Sequence, residues 1–225
     1  MTKQFIRPFL IGTVCVLLIS CATTKPPVTP SPAQTPTVAA PTPQVLSWPQ
    51  RYSQLSDINH FSVLGSASIT HQNKTDLASL SWTQHESANY VLALYGPLSL
   101  GHLSITGRPG LVTLQQSGKP TVSAKSAEAL MQQQLGWQMP VTNLYYWVRG
   151  LAAPGATADF KFDKQNHIVA MTQNGWTINY LGFMQVNHVD LPQKITLSNP
   201  NLRATLAIRQ WIVAPVAQQV ALENK

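Results

Sequence analysis

About ten short segments between residues 61 and 213 constrain the fold more than any other feature of the chain, because each has the length and composition of a β-strand. Several alternate apolar with polar side chains, as strands with one buried and one wetted face do. Gly, Pro or polar clusters separate them. The segments are FSVLGSASIT, LASLSWTQ, YVLALYG, GHLSITG, LVTLQQSG, ADFKFD, IVAMTQ, WTINYLGF, KITLSN and RATLAIRQWIV. The pattern predicts a mainly β protein with one strongly curved or barrel-like antiparallel sheet.

Three stretches have helical rather than strand-like character. Residues 48–58 place apolar side chains three positions apart after an early proline, which favours a short amphipathic helix. Ser126 is suited to cap a helix that ends at Gly136, and a further helix is expected over residues 140–150. We therefore predict two or three helices packed against the sheet.

The chain begins with features of an export signal. Lys3 and Arg7 precede an apolar run of eleven residues, Phe9–Ile19, which is too short to span a bilayer and typical of a signal-peptide core. The following LISC, Leu18–Cys21, resembles the lipobox of bacterial lipoproteins. The resemblance implies cleavage after Ser20 and lipidation of Cys21. Since residue 22 is not Asp, the sorting rule of enterobacterial relatives implies the outer membrane.

Composition divides the rest of the chain into a linker, a domain and a tail. Residues 22–43 contain seven prolines and one charge, a composition that favours an extended tether rather than a core. Fully extended, such a tether reaches roughly 70 Å. We expect a signal peptide at 1–20, the lipidated cysteine and tether at 21–43, a single domain at 44–213 and a loosely ordered tail at 214–225.

The charged and titratable residues give little support for catalysis or nucleic-acid binding. Without the signal peptide, 13 basic and 8 acidic side chains remain, a net charge of +5 that is dispersed along the chain. No nucleophile elbow, phosphate-binding loop or metal-ligand spacing occurs. We expect no enzymatic activity, cofactor or metal. Arg51, Arg108 and Arg149 are interpreted as solvated surface residues, with an acidic partner as the alternative.

Apolar side chains on alternating segments are candidates for a ligand cavity. One face of the predicted sheet carries Leu80, Trp82, Leu103, Ile105, Trp176, Ile178 and Tyr180. These residues fill the core of a packed barrel or line a cavity for acyl chains in a hollow one. The sequence leaves both alternatives open.

One predicted turn carries leucines where polar residues are usual. In LYGPLSLGHL, residues 94–103, a Gly-Pro pair between two strand-like runs places Leu98 and Leu100 near a loop tip. Single exposed leucines are common on protein surfaces, so the turn alone indicates no function.

Several stretches together resemble the LolB family of Gram-negative outer-membrane lipoproteins. They span residues 48–213 and occur in the family's order behind the lipobox: LASLSWTQ, YVLALYGPLSLGHLSITG, LGWQMPVTNLYYWVRGL, TQNGWTINY, LPQKITL and IRQWIV. The resemblance implies an open β-barrel of about eleven antiparallel strands, with helices covering an apolar cavity.

The resemblance also implies a function. The family accepts lipoproteins from the periplasmic carrier LolA and inserts them into the inner leaflet of the outer membrane. A projecting leucine in the family's loop corresponds to Leu98, so Pro97, Leu98 and Leu100 form the expected membrane-insertion loop, although Ser99 stands where the family more often has glycine. The expected partners are a LolA-like carrier, the acyl chains of lipoprotein cargo and outer-membrane phospholipid, and the protein is expected to be a monomer.

Two other functions remain open at this point. The first is an envelope lipoprotein that binds lipid or a small apolar ligand without inserting cargo. The second is a structural lipoprotein with a filled barrel. Both keep the anchor and the sheet but predict no transfer of lipoproteins.

Overall fold

A computed structural model describes residues 45–96 and 101–214, which form an antiparallel sheet and three helices. The mainly β fold class predicted from the sequence is thereby confirmed. The helices are α1 Trp48–Ser56, α2 Ala127–Leu135 and α3 Val141–Trp147. The strands are β1 His60–His71, β2 Lys74–His85, β3 Asn89–Tyr95, β4 His102–Arg108, β5 Leu111–Gln116, β6 Val122–Ala124, β7 Asp159–Phe162, β8 Ile168–Gln173, β9 Trp176–Val186, β10 Val189–Ser198 and β11 Leu202–Val213.

All eleven strands of the described residues belong to one sheet in the order β6-β5-β4-β3-β2-β1-β11-β10-β9-β8-β7. Two meanders, β1 to β6 and β7 to β11, are joined where β1 pairs with β11. Strands β6 and β7 are the two edges, so the sheet is open, as expected from the family resemblance. The buried side chains of the strands form one face, which we call the inner face, and α2 and α3 pack against it.

The sequence pattern missed one strand and shortened another. Strand β6 has only three residues, too few to show an alternating pattern. Strand β10 begins at Val189, before the predicted segment KITLSN, and includes Pro192. Proline lacks an N–H and is usually confined to sheet edges or bulges. The register between β9 and β10 shifts just after Pro192, and this bulge accommodates the proline within the sheet.

Curvature of the sheet depends on close contacts at glycine. The register between β1 and β11 shifts between Leu64 and Gly65. A Cβ atom at Gly65 would lie 2.2 Å from the carbonyl oxygen of Ala207, so only glycine allows the two strands to approach this closely. A bulge of this kind bends a strand and increases its twist.

Helix α2 begins and ends at the predicted capping residues, whereas α1 and α3 end two and three residues before the predicted positions 58 and 150. The Ser126 hydroxyl accepts a hydrogen bond from the Ala129 N–H at 3.2 Å, and Gly136 ends α2 with φ 75°. Pro49 lies in the first turn of α1, where its missing N–H leaves no intrahelical bond unmade. Within residues 45–96 and 101–214, no helix is both long enough and apolar enough to cross a bilayer.

Candidate functional site

An apolar pocket lies between the inner face of the sheet and the segment that contains α2 and α3. All of its lining side chains are apolar. The sheet contributes Ala67, Ile69, Leu80, Trp82, Leu92, Leu94, Leu103, Ile105 and Leu206, and the helical segment contributes Met131, Trp137, Met139, Val141 and Leu144. The space that a water-sized sphere enters is only about 30 Å³, so the pocket is nearly filled in this state. It is far smaller than the roughly 300–1,000 Å³ of typical ligand sites.

The seven side chains predicted for a cavity are all buried, but they lie in two places. Leu80, Trp82, Leu103 and Ile105 line the apolar pocket. The other three are buried away from that lining, and two of them contact Trp147 of α3: the Trp176 ring packs against its indole, and the Tyr180 hydroxyl bonds to its carbonyl. The role of all seven in binding acyl chains stays a prediction.

A buried glutamine fixes the orientation of Trp82. The Trp82 Nε1–H donates to the Gln84 Oε1 at 2.7 Å, and the Gln84 amide donates to the carbonyl of Glu86. Gln84 is 1% exposed and faces inward beside Trp82. Gln84 is not among the cavity residues that the sequence pattern predicts, although a glutamine on the apolar face of an alternating strand is a detectable signal.

A second buried network holds the C-terminal end of α3. The Trp147 Nε1–H donates to the Gln173 Oε1 at 2.8 Å, and the Tyr180 hydroxyl donates to the Trp147 carbonyl at 2.8 Å. Gln173 also accepts from the Ala153 N–H and donates to the carbonyls of Ala153 and Ala156. Burial raises the pKa of Tyr180, which keeps its hydroxyl a neutral donor. These contacts hold the C-terminal end of α3, whose Val141 and Leu144 line the apolar pocket.

Arg149 adds a buried tie between α3 and the end of α1. Its guanidinium donates to the carbonyls of Tyr145, Leu55 and Ile58 and lies 4.0 Å from the centroid of the Tyr145 ring. Burial lowers the pKa of Arg149. The prediction that Arg149 lies on a solvated surface is therefore wrong, because its hydrogen bonds and the aromatic face replace the water that it loses.

The same prediction is wrong for Arg51 and correct for Arg108, which is exposed at the end of β4. Arg51 is buried and forms an ion pair with Asp190 at 2.9 Å. The ring nitrogens of His167 lie 2.8 Å from Asp163 and 3.1 Å from the same Asp190. Burial tends to raise the pKa of Asp190, but hydrogen bonds from His167 and Arg51 outweigh it and hold the pKa below its ordinary value. This network joins α1 to β10.

The opposite side of the pocket is less firmly held. In the described residues, the hydrogen bonds that join α2 to α3 run from the backbone N–H and the hydroxyl of Thr142 to Glu128, at the long distances of 3.4 and 3.5 Å. Met131 and Met139 project into the pocket from α2 and from its connection to α3. Methionine side chains are flexible and adapt to changes of shape. The hydrogen bonds of this segment are therefore longer than those that hold the end of α3.

The connection between β3 and β4 has a closed base. The Gly96 N–H donates to the Gly101 carbonyl at 2.9 Å, and the rings of Tyr95 and His102 stack with centroids 4.6 Å apart. Strand register places this base at the end of the sheet that also holds the β1–β2 and β10–β11 turns. Pro97, Leu98, Leu100 and the lipidation candidate Cys21 lie outside the described residues.

The described residues contain no candidate metal site. No group of three or more His, Cys, Asp or Glu side chains within residues 45–96 and 101–214 is arranged to hold a metal ion.

Comparison with known proteins places this geometry in a family. The family model described as outer membrane lipoprotein LolB matches residues 59–211. The outer-membrane lipoprotein LolB of Coxiella burnetii, strain RSA 493, is 42% identical over 166 residues, covering 73% of this chain and 78% of the relative. The same protein of Pseudomonas syringae pv. syringae is 32% identical over 212 residues, covering 92% and 97%.

Among solved structures, a LolA superfamily protein from Nitrosomonas europaea has a similar fold. The TM-score is 0.50 at 9% sequence identity, and the alignment covers 76% of this chain and 94% of that protein. An identity this low supports only the fold. With the family match over most of the domain and relatives above 30% identity, the chain belongs to the LolB family of outer-membrane lipoproteins.

Proposed function

We propose that this outer-membrane lipoprotein receives lipoproteins from a LolA-like periplasmic carrier and inserts them into the inner leaflet of the outer membrane. The observation that supports the proposal most is the apolar pocket, whose lining contains no polar side chain. The other residues of the proposal are Cys21 as the lipid anchor and Leu98 as the residue that enters the bilayer. The protein acts as a monomer, by binding and release rather than by catalysis.

The energetics of acyl chains explain why a protected route is needed. Transfer of a methylene out of water gains about 0.8 kcal/mol, so a chain of fifteen methylenes gains about 12 kcal/mol. Three such chains on one lipoprotein gain roughly 36 kcal/mol, which excludes release through water. Passage from one apolar pocket to another and then to lipid keeps each step level or downhill. Such a route consumes no nucleotide.

The apolar pocket must widen to accept an acyl chain, because its present space is about 30 Å³. Helix α3 is held by Gln173, Tyr180 and Arg149, whereas α2 is joined to α3 by long hydrogen bonds. We infer that α2 and this connection move outward while α3 stays in place. The side chains of Met131 and Met139 then repack around the acyl chain.

A transfer assay tests the proposal. The protein is mixed with purified carrier loaded with a lipidated cargo and with vesicles of outer-membrane phospholipid, and cargo is measured on carrier, protein and vesicles. We expect Leu98→Glu to accept cargo but to lose transfer to vesicles, because a carboxylate opposes insertion into lipid. Leu111→Glu is the matched control, since Leu111 is an exposed leucine after the turn between β4 and β5, at the opposite end of the sheet.

The outcomes separate the proposal from its alternative. Normal transfer by Leu98→Glu contradicts the role of the loop. If the unsubstituted protein binds a fluorescent fatty acid but takes no cargo from the carrier, it is a lipid-binding lipoprotein without insertion. If Leu98→Glu and Leu111→Glu lose transfer to vesicles equally, the effect is a general one of surface charge. That result also contradicts the role assigned to Leu98.

A further inference from the structure

A polar cleft lies at the end of the sheet where β1 turns into β2 and β10 turns into β11. Its volume is about 690 Å³, within the range of small-ligand sites. Six of its lining residues carry carboxamide side chains: Gln72, Asn73, Gln132, Gln138, Asn199 and Asn201. We call this space the amide cleft.

The amide cleft and the apolar pocket share a wall. Trp137 lines both spaces. On α2, Met131 lines the pocket and the next residue, Gln132, lines the cleft. After Trp137 the pattern reverses, with Gln138 in the cleft and Met139 in the pocket. One segment therefore presents apolar side chains to one space and carboxamides to the adjoining one, as a ligand with an apolar and a polar part requires.

Several of these carboxamides are available to a ligand. In the described part of the chain, the side chains of Gln132, Gln138 and Asn201 have no hydrogen-bond partner within the protein. Asn199 is different, because its Oδ1 accepts from the N–H groups of Asn201 and Leu202 and stabilises the turn. Each free carboxamide offers two N–H donors and a carbonyl acceptor.

We propose that the amide cleft binds the neutral head of lipoprotein cargo, meaning the ester and amide groups around its triacylated cysteine and the first peptide bonds, while the acyl chains occupy the apolar pocket. This inference rests on the proposed function and adds a second binding site to it. Peptide and ester groups present carbonyl acceptors and a few N–H donors without charge, which carboxamides match.

The charge of the cleft favours this ligand over a phospholipid headgroup. No carboxylate lines the cleft among the described residues, so an ammonium group has no anionic partner there. Arg203 is the one lining side chain with a permanent charge, and the His71 imidazole lies 3.6 Å from the carboxylate of Asp76. The phosphate of a zwitterionic headgroup could pair with Arg203 but its ammonium group could not pair with any described lining side chain, whereas a neutral peptide head carries no charge that needs a partner.

Matched glutamine substitutions on α2 and on its connection to α3 test the inference. Gln132→Met/Gln138→Met removes two cleft carboxamides but keeps side-chain length, and at Gln132 it also keeps helix propensity. Gln133→Met/Gln134→Met is the control, because those residues lie on α2 outside the cleft lining. Three probes are titrated into the full lipidated protein: a tripalmitoylated cysteine followed by four neutral residues, a fluorescent C16 fatty acid, and dipalmitoyl phosphatidylethanolamine.

We expect the cleft variant to bind the lipopeptide about tenfold more weakly, as the loss of one or two neutral hydrogen bonds implies. Its affinity for the fatty acid should change less than twofold, and the control should bind all three probes normally. The inference is overturned if the cleft variant binds the lipopeptide as tightly as the unsubstituted protein does. It is also overturned if the affinity for the fatty acid falls as much as that for the lipopeptide. If only the affinity for the phospholipid falls, the cleft binds a phospholipid headgroup instead, which also overturns the inference. If the unsubstituted protein binds neither lipopeptide nor fatty acid, the proposed function itself fails.

Discussion

Replacing Gln173 with Met removes the four hydrogen bonds that tie the end of α3 to β8 and to the segment after α3. The bonds join Gln173 to the Trp147 indole, to both backbone groups of Ala153 and to the Ala156 carbonyl, at 2.7–2.9 Å. Gln173 is 2% exposed, so water does not replace the lost partner. Methionine has similar length and flexibility and leaves no large cavity. The substitution therefore isolates the hydrogen bonds.

The expected loss of stability follows from the donors left without acceptors. The N–H groups of Trp147 and Ala153 each become unpaired in the core, at about 1–3 kcal/mol apiece, so we expect a loss of about 3 kcal/mol in the free energy of unfolding. With an m value of about 2 kcal/mol/M, the urea midpoint falls by about 1.5 M. The assay is urea unfolding of the protein followed by circular dichroism.

A matched substitution on the surface controls for the change of residue type. Gln133→Met on α2 alters an exposed side chain and should change the free energy of unfolding by less than about 0.5 kcal/mol. If the free energy of unfolding of Gln173→Met lies within about 0.5 kcal/mol of that of the unsubstituted protein, the network does not hold α3. The inference that α2 moves while α3 stays in place then loses its basis.

Two further predictions concern the sheet and the ion-pair network. Gly65→Ala should lower the free energy of unfolding by about 1–3 kcal/mol, measured by urea denaturation, because its Cβ would lie 2.2 Å from a backbone oxygen of β11. The pKa of Asp190 is lower in the folded than in the unfolded protein, so its contribution to stability is complete above the unfolded value of about 3.9 and is lost as pH falls through the folded value. Asp190→Asn should thus reduce the loss of folding stability that occurs as pH falls below about 4, measured by urea denaturation at several pH values. An unaltered slope in Asp190→Asn, or wild-type stability in Gly65→Ala, contradicts the respective assignment.

The fold was largely predictable because its signals are local. Alternation along the strands separates buried from exposed side chains, and Ser126 and Gly136 mark the ends of α2. Strand β6 and the start of β10 were missed for local reasons too, since three residues show no period and Pro192 normally ends a strand. The open sheet with helices on its inner face came from the family resemblance rather than from periodicity.

The candidate site was only partly predictable because it depends on contacts between distant residues. An inward-facing Trp82 follows from alternation, but whether the space beside it is hollow depends on side chains of α2 and α3 about fifty residues later in the chain. The burial of Arg149 was equally hidden, since its carbonyl partners at Leu55 and Ile58 lie more than ninety residues away. Charged residues are usually exposed unless paired, so a surface location was the reasonable expectation.

The outside of the sheet provides the clearest contrast to the apolar pocket. A groove of about 450 Å³ lies on the outer face of β11, β1 and β2, with the exposed Leu77 and Tyr95 along it. The groove is larger than the space of about 30 Å³ in the apolar pocket, so volume alone would favour the groove as the site for acyl chains. The pocket differs in that every lining side chain is apolar and the helices shield it from water.

Photolabelling with a lipopeptide tests the central claim most directly. One acyl chain carries a diazirine near its methyl end, the lipopeptide is loaded onto the protein, and labelled peptides are identified by mass spectrometry after illumination. We predict labels on pocket residues of β4, Leu103 and Ile105, and on Met131 and Met139 of the helical segment. Labels concentrated on Leu77 and Tyr95 of the outer groove would contradict the account.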